Sequence, residues 1–504
     1  MTLKSQVSRG LKWQVINIAG KQLLSLVVFT TLARLLEPAA FGLLALIALY
    51  TYFASLLADL GIGIALVQRK NLEKAHLDTA FWFNIGCNAV LCVTTILLAD
   101  TISRWMGEPK LAPLLRVASF GLLIGAVSSV QSTLFTKNLD FRLPTIRALI
   151  GNLVGGAVGV VMALMGFGVW ALVGQLLAGS CAGTIFVCSA SPYRPSMTFS
   201  FRHLRDLLKV GSAVFANALI WFVSSRLDQL IIGRFAGVPA LGLYVVAGKV
   251  PDMIKTATQQ PIVEVSVPAL AKLQDDHPRM RDAIYRGMEL NAFVMFPLFV
   301  GISVTARDLV PFLFGAKWAP AATLCSLLAI YSLINALQLF FYPALLASGV
   351  TGKYVFLNAV QSVGVLVACI IGVQFGVSYL VFALMCNSLI LAVPAMLFLR
   401  RQIGLSLSEY CRPCVLPGMG SLLMASSVWL LTTGLASTAW VGLRLSISIV
   451  LGAGVYIGFS FVLNRSPLNN LIDTMRQAVG LHRTSVNAPI NGGPSAKPSN
   501  CVLL

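Results

Sequence analysis

Charged side chains are scarce in this chain of 504 residues: 11% are Asp, Glu, Lys or Arg, whereas soluble domains carry roughly 25%. So few charges cannot cover the surface of a soluble multidomain enzyme, and the composition also excludes a disordered chain, a coiled coil and collagen. Apolar residues make up 57% of the chain, and the mean hydropathy is +0.83. That is enough apolar sequence for about fourteen spans of roughly 20 residues. We therefore predict an all-α polytopic membrane protein.

Residues and motifs that carry chemistry are equally sparse. The four histidines, His76, His203, His277 and His482, are scattered without the spacing of a metal site, so we predict no metal and no bound cofactor. The ten cysteines lie mostly in apolar segments and predict no disulfide framework. The chain also shows no phosphate-binding loop and no kinase-like or glycosyltransferase-like segment. These absences favour a protein that is not an enzyme, has no catalytic residues and is not driven by ATP.

Apolar blocks divide the chain into fourteen predicted transmembrane helices. Helices 1–6 form an N-lobe over residues 1–190, and helices 7–12 form a C-lobe over residues 207–400, joined by a basic cytoplasmic linker at 191–206. Residues 401–464 hold helices 13 and 14, and residues 465–504 form a polar cytoplasmic tail that is predicted to be largely disordered. The predicted spans are 12–34, 41–66, 79–99, 111–135, 146–166, 168–190, 207–233, 241–268, 287–306, 318–347, 355–374, 377–399, 413–434 and 438–463.

Lysine and arginine are distributed unequally between alternate connections. One side of the membrane carries 25 of them, and the other side carries six: Arg34, Arg104, Lys110, Arg234, Arg307 and Lys317. Basic residues are enriched in cytoplasmic loops, which places the richer side and both termini in the cytoplasm. The first apolar block lacks the cleavage pattern of a signal peptide and is read as the first span. The net charge of +19 therefore indicates membrane topology rather than nucleic-acid binding.

Two pairs of segments about 200 residues apart resemble each other. The segment Arg34–Leu43 aligns without a gap with Arg234–Leu243, with Arg, Ala, Gly and Leu identical at four of ten positions. The tripeptide Phe-Gly-Val at 167–169 recurs at 375–377. Each match lies in the corresponding connection of a six-span unit, which indicates an internal duplication. Because each copy has an even number of spans, both copies would enter the membrane from the same side and form parallel repeats. Secondary transporters use this arrangement for alternating access.

Charged residues inside predicted spans are costly to insert and are therefore the candidate functional residues. On the eighth span, six polar residues occupy one half of the helix at 100° per residue, which favours a face toward a hydrated cavity: Lys249, Asp252, Lys255, Gln259, Gln260 and Glu264. The candidates for substrate binding are Lys21, Arg226, Lys249 and Lys255. The candidates for a coupling ion or for ion pairs are Asp59, Asp228, Asp252 and Glu264.

Two interpretations of these charges remain open. They could pair with one another and serve structure alone, as Lys249 and Asp252 could at i,i+3. Alternatively, as a group they line a hydrated central cavity, which we favour. Asp228 shares a polar face of the seventh span with Asn217, Trp221 and Ser224, and it is a candidate site for a coupling H⁺ or Na⁺.

Three segments near the start of the chain are characteristic: Ala33-Arg-Leu-Leu-Glu-Pro-Ala-Ala-Phe-Gly42, Leu57-Ala-Asp-Leu-Gly-Ile-Gly-Ile-Ala-Leu-Val-Gln-Arg-Lys70, and the opening Ser8-Arg-Gly-Leu-Lys-Trp13. On these segments the chain resembles the polysaccharide transporter family, the Wzx-type flippases of the multidrug/oligosaccharidyl-lipid/polysaccharide superfamily. The branch that exports colanic acid and exopolysaccharide is the most similar, and the likeness covers about residues 1–465. Ala40 departs from the family pattern, in which this position is often acidic.

The resemblance implies two six-helix lobes around a cationic lumen, with two further C-terminal helices. It also implies translocation of an undecaprenyl-diphosphate-linked oligosaccharide across the bacterial cytoplasmic (inner) membrane, for exopolysaccharide or lipopolysaccharide biosynthesis. The implied partners are this lipid-linked oligosaccharide, membrane lipids, and a polymerase and glycosyltransferases of the same pathway. The alternatives are a cation-coupled multidrug antiporter or a lipid II-type flippase of the same superfamily. A membrane polysaccharide polymerase is disfavoured, because the longest outer connection is only about a dozen residues around 100–111.

Overall fold

The protein is helical, and no strand occurs in residues 20, 22–138, 140, 142–349, 351–434 and 440–463, which are the residues that this computed structural model describes. A π-helical turn at Ile232–Ala236 and a 3₁₀ turn at Ala316–Trp318 interrupt the series of α-helices. The α-helices are α1 (Gln22–Leu35), α2 (Pro38–Asp59), α3 (Ile62–Gln68), α4 (Lys74–Met106), α5 (Leu111–Ala118), α6 (Phe120–Val127), α7 (Ser129–Lys137), α8 (Arg142–Leu164), α9 (Trp170–Ala190), α10 (Phe201–Ile231), α11 (Val238–Ala271), α12 (His277–Phe314), α13 (Ala321–Ala336), α14 (Phe341–Ala347), α15 (Thr351–Phe375), α16 (Val377–Ile403), α17 (Leu407–Gly434) and α18 (Val441–Leu463).

Eleven helical segments in the described residues are long and apolar enough to cross a membrane, and a pair bent by 44° at Ser128 would make twelve. The prediction of an all-α membrane protein is therefore confirmed. Two of the fourteen predicted spans are not among these segments. The helix α1 is shorter than 18 residues, and α11 carries three charged residues close together, Lys249, Asp252 and Lys255. A total of fourteen spans and the two-lobe layout remain predictions.

The helices group into two compact units. The first unit contains the described residues up to Ala257, together with Leu309–Leu328 and Asn358–Asn387; the second contains Thr258–Asp308, Ala329–Leu357 and the described residues from Ser388 onward. The first unit includes a buried cluster around Ile62, Leu66, Phe81, Val130 and Leu207. The second includes a buried cluster around Met280, Ile284, Met288, Phe340, Leu399 and Tyr410.

Within the first unit, α2 and α11 touch backbone to backbone at two glycines. A Cβ atom at Gly42 would lie 1.9 Å from the carbonyl oxygen of Val238, and one at Gly242 would lie 1.9 Å from the carbonyl oxygen of Pro38. Because both distances are far below van der Waals contact, only glycine fits at either position. The two glycines are aligned in the sequence repeat, so the matching segments pack against each other reciprocally.

Glycines also bring α8 and α9 together. A Cβ at Gly155 would lie 2.5 Å from the carbonyl oxygen of Gln175, and one at Gly179 would lie 2.7 Å from that of Gly151. The spacing of Gly151, Gly155 and Gly159 is the small-residue pattern of closely packed membrane helices. The structure confirms that this pattern marks close helix packing.

The chain breaks between α2 and α3 at Leu60 and Gly61, which have φ angles of +45° and +78°. Asp59, the last residue of α2, accepts a hydrogen bond from the backbone N–H of Gly63 at 3.2 Å and so caps α3. The break packs closely against α10, since a Cβ at Gly61 would lie 2.3 Å from the carbonyl oxygen of Gly211. Asp59 was predicted as an ion-binding or ion-paired residue. In the structure its carboxylate accepts a backbone hydrogen bond.

The segment that joins α9 to α10 is attached to α4 by one carboxylate. Asp78, which is 1% exposed, accepts hydrogen bonds from the Tyr193 hydroxyl at 2.7 Å, the Ser196 backbone N–H at 3.1 Å and the Thr198 hydroxyl at 2.9 Å. Burial, together with the neighbouring Asp78 carboxylate, raises the pKa of Tyr193. These bonds hold the predicted linker against the start of α4 and thereby place the first turn of α10.

At the other end of the first unit, the 3₁₀ turn caps α1. Trp318 donates its indole N–H to the carbonyl oxygen of Ala33 at 2.8 Å, and Lys317 donates to that of Arg34 at 2.9 Å. Arg34 in turn donates to the carbonyl oxygens of Leu313 and Phe312 at 3.0 and 2.6 Å. Burial lowers the pKa of Lys317, while Glu37 opposes the shift. These basic residues thus satisfy carbonyl groups at helix ends, which need partners.

The glycine contact between α2 and α11 predicts severe destabilisation by a single methyl group. Gly42→Ala and Gly242→Ala should each cost roughly 3 kcal/mol or more, because the obstructing atom is a backbone carbonyl and not a movable side chain. Thermal unfolding of detergent-purified protein measures the effect.

Gly86→Ala is the matched control, since Gly86 lies in α4 and a Cβ there would meet nothing within 4 Å. It should leave stability unchanged or slightly increased, because alanine favours helix. Wild-type stability in Gly42→Ala and Gly242→Ala would show that the two helices do not touch as described.

Candidate functional site

A cavity of about 260 Å³ lies inside the first unit. Its wall is built from five helices, and most of it is apolar, but four polar side chains from different helices converge on it. Such a cavity, apolar with a few placed polar groups, has the composition of a ligand site. The lining residues are Ser25, Val28, Phe29, Leu32, Phe41, Leu44, Asn152, Leu172, Gln175 and Lys249.

Lys249 supplies the cation of this cavity. Its Nζ donates a hydrogen bond to the Ser25 hydroxyl at 3.2 Å and lies 4.8 Å from the centre of the Phe29 ring. An ammonium over an aromatic face is stabilised by the ring quadrupole, which partly replaces water around the charge. Lys249 follows Gly242 by seven residues, or two helical turns, so the glycine contact with α2 holds it over the cavity.

Most of the charged residues predicted on the seventh and eighth spans come together in the first unit. The charges of Lys255, Arg226 and Lys249 all act on the carboxylate of Asp252. Asp252 and Arg226 are exposed, and Lys249 and Lys255 are half-buried. With Asp228, the group contains three basic and two acidic side chains and keeps a net positive charge. Lys249 is the member of this group that lines the cavity, so pairing and a cavity lined by the whole group both stay predictions.

Asp228 is held differently from Asp252. One carboxylate oxygen, Oδ2, accepts a short hydrogen bond from the Tyr244 hydroxyl, which links α10 to α11. The other oxygen, Oδ1, is buried without a hydrogen-bond partner in the described part of the chain. A buried acceptor without a partner is costly and in native proteins generally has a structural or functional reason. The geometry is that of an acid with one oxygen fixed and the other available.

The remaining predicted candidates lie elsewhere. Lys21 falls outside the described residues. Glu264 belongs to the second unit, where it is exposed and accepts a hydrogen bond from Gln260 at 3.4 Å. Asp59 caps α3, as described above. The structure therefore groups Arg226, Asp228, Lys249, Asp252 and Lys255 but not these three.

The uncharged part of the cavity wall was not predicted from the sequence. Ser25, Asn152 and Gln175 lie on α1, α8 and α9, and single amides and hydroxyls are common enough in apolar spans to give no distinct signal. Arg444 in α18 was not predicted either, and it forms a two-pronged ion pair with Asp308 inside the second unit. The 7% exposure of Asp308 and the matched geometry indicate a structural pair.

Two of the four histidines, which are scattered in the sequence, lie together in the structure, and the absence of a metal stays a prediction. His76 and His203 pack edge to face with ring centres 4.2 Å apart, and Glu73 lies beside both. One ligand atom from each of the three side chains lies within 4.8 Å of the others. The sequence separation of 127 residues concealed this cluster, because only the fold brings the starts of α4 and α10 together.

Comparison with solved structures assigns the fold. The chain is similar to the structure titled "Lipid II flippase MurJ, inward closed conformation", with a TM-score of 0.74 over 91% of this chain and 100% of that one. The sequence identity is 16%, so the likeness concerns the fold alone.

Curated relatives have more similar sequences. The lipopolysaccharide biosynthesis protein WzxC of Escherichia coli (strain K12) is 29% identical over 338 residues, which cover 67% of this chain and 69% of the relative. The succinoglycan biosynthesis transport protein ExoT of Rhizobium meliloti (strain 1021) is 24% identical over 324 residues, which cover 64% of this chain and 66% of the relative.

The family-level resemblance predicted from the N-terminal motifs is confirmed. A model of the family described as "Polysaccharide biosynthesis protein" matches residues 31–323, and this region includes α2 to α12, the whole glycine contact and Lys249. Because the match extends over more than half of the chain, the protein belongs to the polysaccharide biosynthesis protein family.

Proposed function

We propose that this protein moves an undecaprenyl-diphosphate-linked oligosaccharide from the inner to the outer face of the bacterial cytoplasmic membrane, for exopolysaccharide or lipopolysaccharide biosynthesis. Membership of the family, the names of the relatives WzxC and ExoT, and a fold shared with a lipid II flippase all support this function. The protein acts as a transporter and not as an enzyme, with the lipid-linked oligosaccharide and membrane lipids as its partners. Glycosyltransferases act before it, to build the saccharide, and a polymerase acts after it, to join the translocated units.

The observation that carries the proposal is the ammonium of Lys249 on the wall of a largely apolar cavity. A lysine within apolar helices is expensive unless a ligand or partner repays its desolvation. Ser25 and Phe29 contact the ammonium, and its charge also interacts with the carboxylate of Asp252. A diphosphate carries negative charge that this ammonium would attract, and attraction in a partly hydrated cavity is worth about 1–4 kcal/mol per close pair.

The size of the cavity suggests which part of the substrate it receives. Its volume of about 260 Å³ is below the roughly 300–1,000 Å³ of pockets that enclose drug-sized ligands. We infer that it takes the diphosphate and the first sugar, with Asn152 and Gln175 as hydrogen-bond partners for hydroxyl groups. The polyprenyl chain stays in the bilayer, where its transfer to water would be unfavourable.

A cation-coupled multidrug antiporter of the same superfamily is the second candidate. A cavity that receives cationic drugs would need acidic or aromatic walls without a fixed cation, whereas Lys249 repels a cation from this cavity. The three basic and two acidic groups around Asp252 also leave a net positive charge. The electrostatics therefore favour an anionic substrate.

We propose that translocation proceeds by alternating access and is coupled to H⁺ or Na⁺ at Asp228. Its Oδ1 atom, buried without a hydrogen-bond partner, is an acceptor that a cation would satisfy. Both termini and the segment 191–206 face the cytoplasm, and residues 100–111 and 307–317 face the opposite side, because basic residues are enriched on the first set.

Replacing Lys249 tests the function. Lys249→Gln should reduce polysaccharide export by about tenfold or more at equal amounts of inserted protein, since about 1.4 kcal/mol corresponds to a factor of ten. Lys249→Arg should retain more export than Lys249→Gln because it keeps the charge. The double variant Lys249→Gln/Lys255→Gln should nearly abolish export. Surface polysaccharide in a deletion strain is the readout.

Lys272→Gln is the matched control, since Lys272 directly follows the end of α11 and is exposed. It should export at the wild-type level. Wild-type export by the double variant at normal protein levels would exclude the positive cavity as the substrate site.

Replacing Asp228 tests the coupling. Asp228→Asn should insert normally and keep the hydrogen bond to Tyr244, yet lose the dependence of transport on an ion gradient, because an amide cannot exchange a proton or hold Na⁺ by charge. Tyr244→Phe keeps the carboxylate and should retain gradient dependence. Transport by proteoliposomes under an imposed H⁺ or Na⁺ gradient distinguishes these outcomes, and gradient-driven transport by Asp228→Asn would remove Asp228 from the mechanism.

Cysteine labelling tests the orientation. In a background without the ten native cysteines, Lys110→Cys should react with an impermeant maleimide in intact cells. Met197→Cys, at a position 87% exposed, should react only after the membrane is permeabilised. The reverse pattern would invert the proposed topology.

A further inference from the structure

We propose that Glu73, His76 and His203 form a binding site for one divalent transition-metal ion, of the class represented by Zn²⁺. The site would join the start of α4 to the start of α10, both within the first unit. It is separate from the Lys249 cavity and independent of the proposed transport function.

The three side chains already lie close enough to share an ion. Their ligand atoms are within 4.8 Å of one another, and the His203 Nε2 atom is 3.6 Å from Glu73 Oε2. Bonds of about 2.0–2.2 Å place two ligands of a tetrahedral Zn²⁺ roughly 3.3 Å apart. The Glu73 side chain is 69% exposed and caps α4 by accepting from the His76 backbone N–H, so its carboxylate can close the gap by a small movement at the cost of that contact.

Both imidazole rings present a nitrogen that the protein leaves unsatisfied. His76 is 1% exposed, and its Nε2 has no hydrogen-bond partner; His203 Nδ1 is likewise buried without one in the described residues. Buried polar atoms are normally paired, and an exception requires an explanation such as a missing ion. A metal bound at His76 Nε2 would satisfy that nitrogen, whereas His203 would bind through Nε2, which faces Glu73, so the support comes from His76.

Binding through His76 Nε2 has one cost. The Nδ1 atom of the same ring accepts a hydrogen bond from the backbone N–H of Glu73 at 3.4 Å. Ligation at Nε2 moves the ring proton to Nδ1 and breaks this contact. At 3.4 Å the contact is long for a hydrogen bond, so its loss is small compared with the metal–nitrogen bond gained.

The surrounding structure holds the ligands in place. Asp78, two residues after His76, binds Tyr193, Ser196 and Thr198 of the segment that leads to α10, and this fixes His203 against α4. Arg69 carries a charge that opposes a cation, but it pairs with Asp206 at 3.8 Å. Two imidazoles and one carboxylate favour Zn²⁺ and similar ions over Mg²⁺ and Ca²⁺, which prefer oxygen ligands.

Zinc binding to the full-length protein in detergent tests the proposal. The protein should carry no polyhistidine tag and should be treated with a chelator before titration with ZnCl₂. We expect about one Zn²⁺ per chain and a higher unfolding temperature in its presence, but no increase with MgCl₂. His203→Ala and Glu73→Gln should each weaken binding at least tenfold. Both change partly exposed side chains, and a normal gel-filtration profile checks that they fold.

His277→Ala is the control, because His277 is exposed in the second unit, and it should bind Zn²⁺ as the wild type does. Two cysteines three residues apart in α17 are the other potential metal ligands, so the double variant Cys411→Ser/Cys414→Ser should also retain the ion. Unchanged binding in His203→Ala and Glu73→Gln, loss of binding only in the cysteine variant, or no binding by the wild type would each overturn the proposal.

Discussion

The contact between α2 and α11 at Gly42 and Gly242 determines the geometry of the cavity. With no side chain between the helices, the two backbones lie at the closest distance that their carbonyl groups allow. Phe41 and Leu44 beside one glycine, and Lys249 two turns after the other, therefore reach the same cavity. The two glycines occupy aligned positions of two similar segments, so the packing of these segments against each other positions the candidate substrate-binding lysine.

A charged side chain within the membrane loses its hydration, which costs free energy. The structure offsets this cost differently at different residues. Arg444 and Asp308 neutralise each other in a paired geometry that leaves neither available. Asp228 is held by Tyr244 at Oδ2, while its Oδ1 has no hydrogen-bond partner among the described residues. Lys249 contacts a hydroxyl and an aromatic ring and interacts with Asp252. A complete ion pair such as Arg444–Asp308 needs no ligand, whereas a buried acceptor without a hydrogen bond is stabilised further by one.

The part of the site that could be predicted from the sequence is the part that depends on helical periodicity. Most polar residues of α11 recur every three or four positions, which at 100° per residue places them on one half of the helix and predicted the polar face that carries Lys249. The same reasoning could not separate Lys249, which reaches the cavity, from Glu264, which belongs to the second unit. Ser25, Asn152 and Gln175, and likewise His76 and His203, come together only through the packing of helices distant in sequence. Periodicity within one helix holds no information about that packing.

Ligand binding by the purified protein tests the central claim, that Lys249 receives the diphosphate. The affinities of undecaprenyl diphosphate and of uncharged undecaprenol should be measured for wild-type protein and for Lys249→Gln. The two ligands share the same lipid chain, so the difference between their affinities reports the contribution of the diphosphate. Wild-type protein should prefer the diphosphate by about tenfold or more, and Lys249→Gln should lose most of that preference. An equal preference in both proteins would contradict the account.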